Sequence, residues 1–133
     1  MFDHTGIVVS DLSLARRFYE AIGRPLGLVA MESGQEGAFL LGRGPGQVPH
    51  LWIGTLRPSY WVPGSKPGIN QMHVAFVAAT KDAVEEFYTA GIAAGGRDYG
   101  PPGPRYDGQY YGAFVLDPDG NNIEACYRGS KGR

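Results

Sequence analysis

The 133-residue chain has a single cysteine, Cys126, so no internal disulfide can staple it, and a reducing, cytoplasmic setting is the expectation. It lacks any apolar run near the ~18 residues that a membrane helix needs. Its first residues, MFDHTG, carry neither a basic nor an apolar leader region, so no signal peptide is expected. It lacks an excess of either charge, with 12 Lys and Arg against 13 Asp and Glu, so nothing predicts an electrostatic hold on nucleic acid or on a membrane surface. Disorder is excluded by a hydrophobic content of 43% with 12% aromatics. What the chain has in abundance is Gly (21) and Pro (10), about twice average usage. That excess follows no three-residue period, which excludes collagen, and it would break the long helices of a bundle. A turn-rich domain containing strands remains.

The chain repeats itself. A shift of 69 residues lays His4-Thr-Gly-Ile-Val-Val on His73-Val-Ala-Phe-Val-Ala, Phe18-Tyr19 on Phe87-Tyr88, and Ala21 on Ala90. Both copies share one order: a short apolar strand (3–9 and 72–78), a capping residue (Asp11 and Thr80), then apolar residues at helical spacing. Gly23 and Gly91 are expected to end the helices in the left-handed conformation. Three further strands follow in each copy, at 27–32, 37–41 and 48–54, and at 96–99, 110–116 and 121–128. The expected fold is α+β: two βαβββ modules, about 2–54 and 71–128, joined by a Pro- and Gly-rich linker at 55–70 within one domain spanning 1–133. The tail GSKGR reads as a frayed basic end.

Strand parity brings chemistry together. Ile7 and Val9 are set to face the helix, leaving His4, Gly6 and Val8 on the other face; Val74 and Phe76 do the same for His73, Ala75 and Val77. On the last strand, Asn122, Glu124 and Cys126 share a face. Two imidazoles and a carboxylate on the faces away from the helices form the donor set of an open divalent-metal site, suited to Fe, Mn, Zn or Ni. Taken singly, each has a simpler reading as a solvated strand end, a hydrogen-bonded histidine or an exposed acid.

These residues resemble the vicinal oxygen chelate superfamily of glyoxalases, bleomycin-resistance proteins and extradiol dioxygenases. The resemblance runs over roughly 2–128 and is carried by Asp3-His4-Thr-Gly-Ile-Val-Val-Ser-Asp11, Met72-His73-Val-Ala-Phe and Phe114-Val-Leu-Asp-Pro-Asp-Gly-Asn-Asn-Ile-Glu124. It implies paired βαβββ modules curved into a cup-shaped mixed sheet with helices on its outer face. It further implies metal ligands at His4, His73 and Glu124. The family's fourth ligand position falls close to Trp52, which cannot ligate a metal. The implied function is a metal-dependent enzyme acting on a small molecule whose oxygens chelate the ion, with lyase, isomerase, transferase and dioxygenase outcomes open. The alternative is a metal-free binder of the bleomycin-resistance type, holding an aromatic compound between Trp52, Trp61 and tyrosines. A homodimer is expected, and use of a thiol cosubstrate such as glutathione is open.

Other residues are candidates for the pocket. His50 shares the parity of Trp52 and reads either as an acid/base group or substitute ligand, or as a surface histidine. Trp52 offers an apolar wall. The stretch 100–111 reads as a long aromatic loop of the kind that closes over sites. Within it, Arg105 is a candidate for an anionic substrate group, and Tyr106, Tyr110 and Tyr111 are candidate donors, with Tyr111 also a candidate acid. Cys126 reads as a small buried hydrophobe, and Asp11, Asp117 and Asp119 as caps and turn formers.

Overall fold

A computed structural model describes residues 1–68 and 72–129. The expected start of the second module at 71, the end of the linker at 69–70 and the tail beyond Gly129 lie outside the described residues. The element order is β1 (His4–Val8), α1 (Leu12–Gly23), β2 (Val29–Glu32), β3 (Ala38–Gly42), β4 (His50–Gly54), β5 (His73–Val77), α2 (Lys81–Ala93), β6 (Arg97–Arg105), β7 (Tyr110–Leu116) and β8 (Asn122–Tyr127). This is βαβββ twice. The strands form two four-stranded sheets of matching order, β1-β4-β3-β2 and β5-β8-β7-β6, rather than one continuous sheet. In each, the first strand runs parallel to the last and the remaining pairs are antiparallel.

The helices start where the caps put them. The Asp11 carboxylate accepts from the Leu14 amide at 3.0 Å, and the Thr80 hydroxyl accepts from the Ala83 amide at 3.0 Å. α1 ends at Gly23, as expected, but Gly23 stays right-handed (φ −68°), and a 3-10 turn at Arg24–Leu26 leads to the left-handed Gly27 (φ 74°). Gly91 lies inside α2, and the left-handed residue comes later, at Gly95 (φ 100°). Gly91 is there for closeness: a Cβ on it would stand 3.2 Å from Val115 and 3.3 Å from Ile22. That gap lets α2 lie against both α1 and β7.

One hydrophobic core serves both modules. Ile7, Phe18, Ile22 and Ile53 from the first pack in the same cluster as Val84, Phe87, Val115 and Ile123 from the second, all fully buried. Truncating a fully buried Phe18 or Phe87 to Ala would cost about 3–5 kcal/mol. Polar contacts join the modules as well. The buried Asp117 carboxylate accepts from the Tyr19 hydroxyl at 2.6 Å and also from Asn121 Nδ2 and the amides of Asp119 and Asn121. Asp119 in turn accepts from Ser10 Oγ at 2.6 Å and from the Ser10 amide at 3.0 Å. Asp117 and Asp119 therefore shape their turn, as expected, and also tie it to the first module, which local sequence does not reveal.

The stretch 100–111 is corrected. It is not a long loop: β6 continues to Arg105, β7 starts at Tyr110, and only 106–109 turn between them. β6 is an edge strand with register shifts between Asp98 and Gly103, which is where a sheet tolerates prolines such as Pro101 and Pro102. The segment is thus part of the sheet rather than a lid.

Each sheet has one face against the helices and the other uncovered. Ile7 and Val9 are buried while His4 is exposed; in β5 the pattern alternates, with His73, Ala75 and Val77 exposed. No helix among the described residues is long and apolar enough to cross a membrane.

Candidate metal centre

The uncovered face of the second sheet holds His73 and Glu124. Register places Ala75 opposite Glu124, so His73 lies diagonally across from the carboxylate on the neighbouring strand. His73 Nε2 stands 3.3 Å from Glu124 Oε1. The ring's other nitrogen, Nδ1, lies 3.2 Å from the Asn122 carbonyl oxygen. A carbonyl can only accept, so Nδ1 carries the proton and Nε2 is the ligating position. Glu124 is almost fully buried, and its second oxygen, Oε2, accepts from the Tyr110 hydroxyl at 2.6 Å. A ring nitrogen and a carboxylate oxygen this close are held by a shared proton or by a metal ion. Two ligands about 2.0–2.2 Å from one ion at tetrahedral or octahedral angles lie about 3.0–3.5 Å apart. The observed 3.3 Å fits that spacing, so His73 and Glu124 suit a divalent ion, each supported behind by a hydrogen-bond partner.

The surroundings keep their protons. Burial first, and then the bond to Glu124, raises the Tyr110 phenol well above its ordinary range, so it stays a donor. Burial, reinforced by Glu124, pushes the Cys126 thiol up to about 12, so it remains an unreactive thiol. Phe114 pairs with Glu124 across β7–β8, and its ring centroid lies 6.2 Å from that of His73. The Arg105 guanidinium sits over the other side of this patch, 5.4 Å from the Phe114 centroid, and donates to the carbonyls of Pro101 and Pro104. Arg128 covers the Tyr110 ring at 4.6 Å. Tyr106 is largely exposed at the hairpin turn, with its ring 5.8 Å from Tyr110.

Tyr111 is a correction. Adjacent strand residues point to opposite faces, and its hydroxyl donates to Glu85 on α2 at 2.8 Å while Lys81 lies over its ring. It belongs to the helix side and does not stand with Glu124, Tyr110 and His73. Trp61 is likewise engaged elsewhere, stacked beneath Arg57 in the linker.

The uncovered face of the first sheet holds His4, His50 and Trp52. His4 and His50 are direct partners on the parallel strands β1 and β4, and their rings stack with centroids 5.4 Å apart and 9° between planes. Asp3 Oδ1 lies 2.8 Å from His4 Nδ1, which leaves His4 Nε2 free. Gly6 pairs with Trp52 as Ala75 pairs with Glu124, so Trp52 occupies the position equivalent to the carboxylate. Its indole lies across Gly6 and Gly54, and a Cβ on Gly54 would meet the ring at 2.6 Å. The indole N–H donates to Gln35 at 2.8 Å. Met31 and Leu40 continue this apolar surface across the sheet.

The three expected ligands thus occupy two groups. His73 and Glu124 meet; His4 stands on the other sheet with Asp3 and His50, whose ligand atoms lie within 4.8 Å of one another. Among the described residues of one chain, His4, His73 and Glu124 form no common cluster. Reasoning from sequence missed Asp3, Phe114, Leu40 and Arg128. Parity with Glu124 or Trp52 reaches Phe114 and Leu40, and adjacency to His4 reaches Asp3.

The comparisons accord with this geometry. The family model for the Glyoxalase/Bleomycin resistance protein/Dioxygenase superfamily matches residues 1–125. A glyoxalase/bleomycin resistance protein from Albidiferax ferrireducens T118 is 30% identical, covering 96% of this chain and 98% of its own, with a TM-score of 0.77. A family enzyme from Burkholderia phytofirmans PsJN shares the fold at 20% identity and a TM-score of 0.70, covering 95% of this chain and 97% of its own. A virulence protein from Salmonella typhimurium is 25% identical, covering 96% and 95%, with a TM-score of 0.61. No curated protein matches. With twin βαβββ modules and a match over nearly its whole length, the chain belongs to the Glyoxalase/Bleomycin resistance protein/Dioxygenase superfamily.

Proposed function

We propose that the protein is a divalent-metal-dependent enzyme acting on a small molecule with metal-chelating oxygens, and that its site is completed by a second copy of the chain. The observation that carries this reading is the 3.3 Å approach of His73 Nε2 to Glu124 Oε1, with Asn122 and Tyr110 engaging their far sides. The second module supplies two ligands and an uncovered face; the first supplies His4 and another uncovered face. In a two-fold dimer, the first face of each protomer covers the second face of its partner, giving two equivalent sites. His4 of one chain then joins His73 and Glu124 of the other.

A divalent ion bound there supplies Lewis acidity, stabilising negative charge that develops on a substrate oxygen. The chain's own residues do the rest. Asn122 fixes the His73 tautomer, Asp3 fixes that of His4, and Tyr110 holds the Glu124 carboxylate in one orientation. Trp52 and Leu40 form an apolar wall on one side and Phe114 on the other. The Arg105 guanidinium has five N–H donors, more than its two carbonyl contacts use, so it offers an anchor for an anionic group.

Metal analysis of untagged protein tests this. The reading expects about one ion per chain after reconstitution with Mn(II) or Fe(II), and sharply weakened binding in His73→Ala. Stoichiometry far below that, or His73→Ala binding Mn(II) as tightly as the parent, contradicts it and leaves the metal-free binder. Substrate screening with and without glutathione then addresses the reaction class.

A further inference from the structure

The pairing of His4 with His50 reaches beyond the centre proposed above. In the second module, the residue opposite His73 is Asn122; in the first, the residue opposite His4 is a second imidazole. The two rings lie on adjacent parallel strands, on the face away from the helices, stacked 5.4 Å apart and nearly coplanar in tilt. Asp3 lies against His4 at 2.8 Å. His50 is only loosely held, its Nδ1 lying 3.4 Å from the Gln47 carbonyl. One ligand atom from each of Asp3, His4 and His50 falls within 4.8 Å of the others.

We infer that Asp3, His4 and His50 form a transition-metal site of their own, which one chain fills without His73, Glu124 or a partner subunit. Ligand atoms sharing an ion at about 2.0–2.2 Å lie no more than about 4 Å apart, so closing the site needs a shift of under about 1 Å. Asp3 and His4 have largely exposed side chains and His50 is half-exposed, so the rings are free to make that shift. Two imidazoles with one carboxylate suit Zn(II) or Co(II), ions that give clear spectroscopic readouts of imidazole ligation. The role follows from the position. The site captures a borderline-soft ion on the first module's uncovered face, where His4 is shared with the proposed two-chain centre.

The chain has three histidines, so the His73→Ala/Glu124→Gln variant retains imidazoles at His4 and His50 alone. Untagged protein of this variant is titrated with Co(II), read by visible absorption, and with Zn(II), read by imidazole NMR. The expected result is one Co(II) per chain with ligand-field bands, and Zn(II)-induced shifts in both rings. Adding His50→Ala then weakens Co(II) binding by at least about tenfold while the thermal midpoint stays unchanged. Absence of Co(II) binding in the double variant, or binding unaffected by His50→Ala, overturns the inference. The two readings fail separately. Loss of Co(II) and Mn(II) together in the double variant removes the single-chain site and leaves the two-chain centre standing. Mn(II) binding that survives both this double variant and the added His50→Ala removes the two-chain centre instead.

Discussion

The two modules share a fold and differ in what their uncovered faces carry. At equivalent places the first has His4, His50 and Trp52, and the second has His73, Asn122 and Glu124. The second face has a buried carboxylate bonded to a buried tyrosine; the first has an exposed and a half-exposed imidazole and an indole lying across glycines. In the proposed centre, one half holds a ligand oxygen in place and the other contributes nitrogen and apolar surface. The repeat supplies the geometry twice, and the two faces differ at two of these three positions, His50 against Asn122 and Trp52 against Glu124.

The sharpest way to break this comparison is to remove a ligand from the rigid half. His73→Ala should weaken Mn(II) binding by more than about 100-fold, checked by titration calorimetry, since even residues behind the ligands are worth about 10–100-fold. Tyr110→Phe should weaken it by about 10–100-fold. It leaves Glu124 Oε2 without its donor and should lower stability by about 1–3 kcal/mol in denaturant titration. Trp52→Ala on the other half should leave Mn(II) affinity unchanged and weaken binding of an aromatic substrate, which equilibrium fluorescence can follow.

The join between the modules gives two smaller effects. Tyr19→Phe removes a buried donor to the Asp117 carboxylate and should cost about 1.5–3 kcal/mol. Burial first, and then Asp117, raises the Tyr19 phenol well above the ordinary 10.0. The folded state therefore keeps its proton at alkaline pH where the unfolded chain loses it. This contribution is fully present below about pH 10 and falls as pH rises further. Tyr19→Phe should accordingly flatten the alkaline loss of stability measured by urea unfolding at stepped pH. Ser10→Ala, at an exposed serine, should cost only about 0.5–1 kcal/mol, because the Ser10 amide keeps its own bond to Asp119.

Much of this was legible in the sequence because it is written in local periods. The 69-residue repeat, the caps Asp11 and Thr80 and the parity of His4, His73 and Glu124 all follow from period-2 and helical spacing. Register agrees with the equivalence of Trp52 and Glu124. The start of β6 was expected at 96–99, but its extension to Arg105 was not legible, because Pro101, Pro102 and Pro104 read as a loop unless the strand is known to lie at an edge. The end of α2 was misplaced because a glycine that permits close packing, such as Gly91, looks in sequence like one that terminates. The Tyr19–Asp117 and Ser10–Asp119 bonds span 98 and 109 residues and leave no local signal. The alternation that sends Tyr111 to α2 and Tyr110 to Glu124 was available from period 2 once both were placed on one strand.

The central claim is that the metal centre is assembled from the unlike halves of two chains, and subunit mixing tests it most directly. His4→Ala and His73→Ala chains are each deficient in Mn(II) binding under the proposal. When they are unfolded together and co-refolded, half of the dimers are mixed, and each mixed dimer holds one intact pair of faces. The account predicts recovery of about a quarter of the parent's Mn(II) sites in the mixture. A mixture that binds no more Mn(II) than its separate components would contradict it.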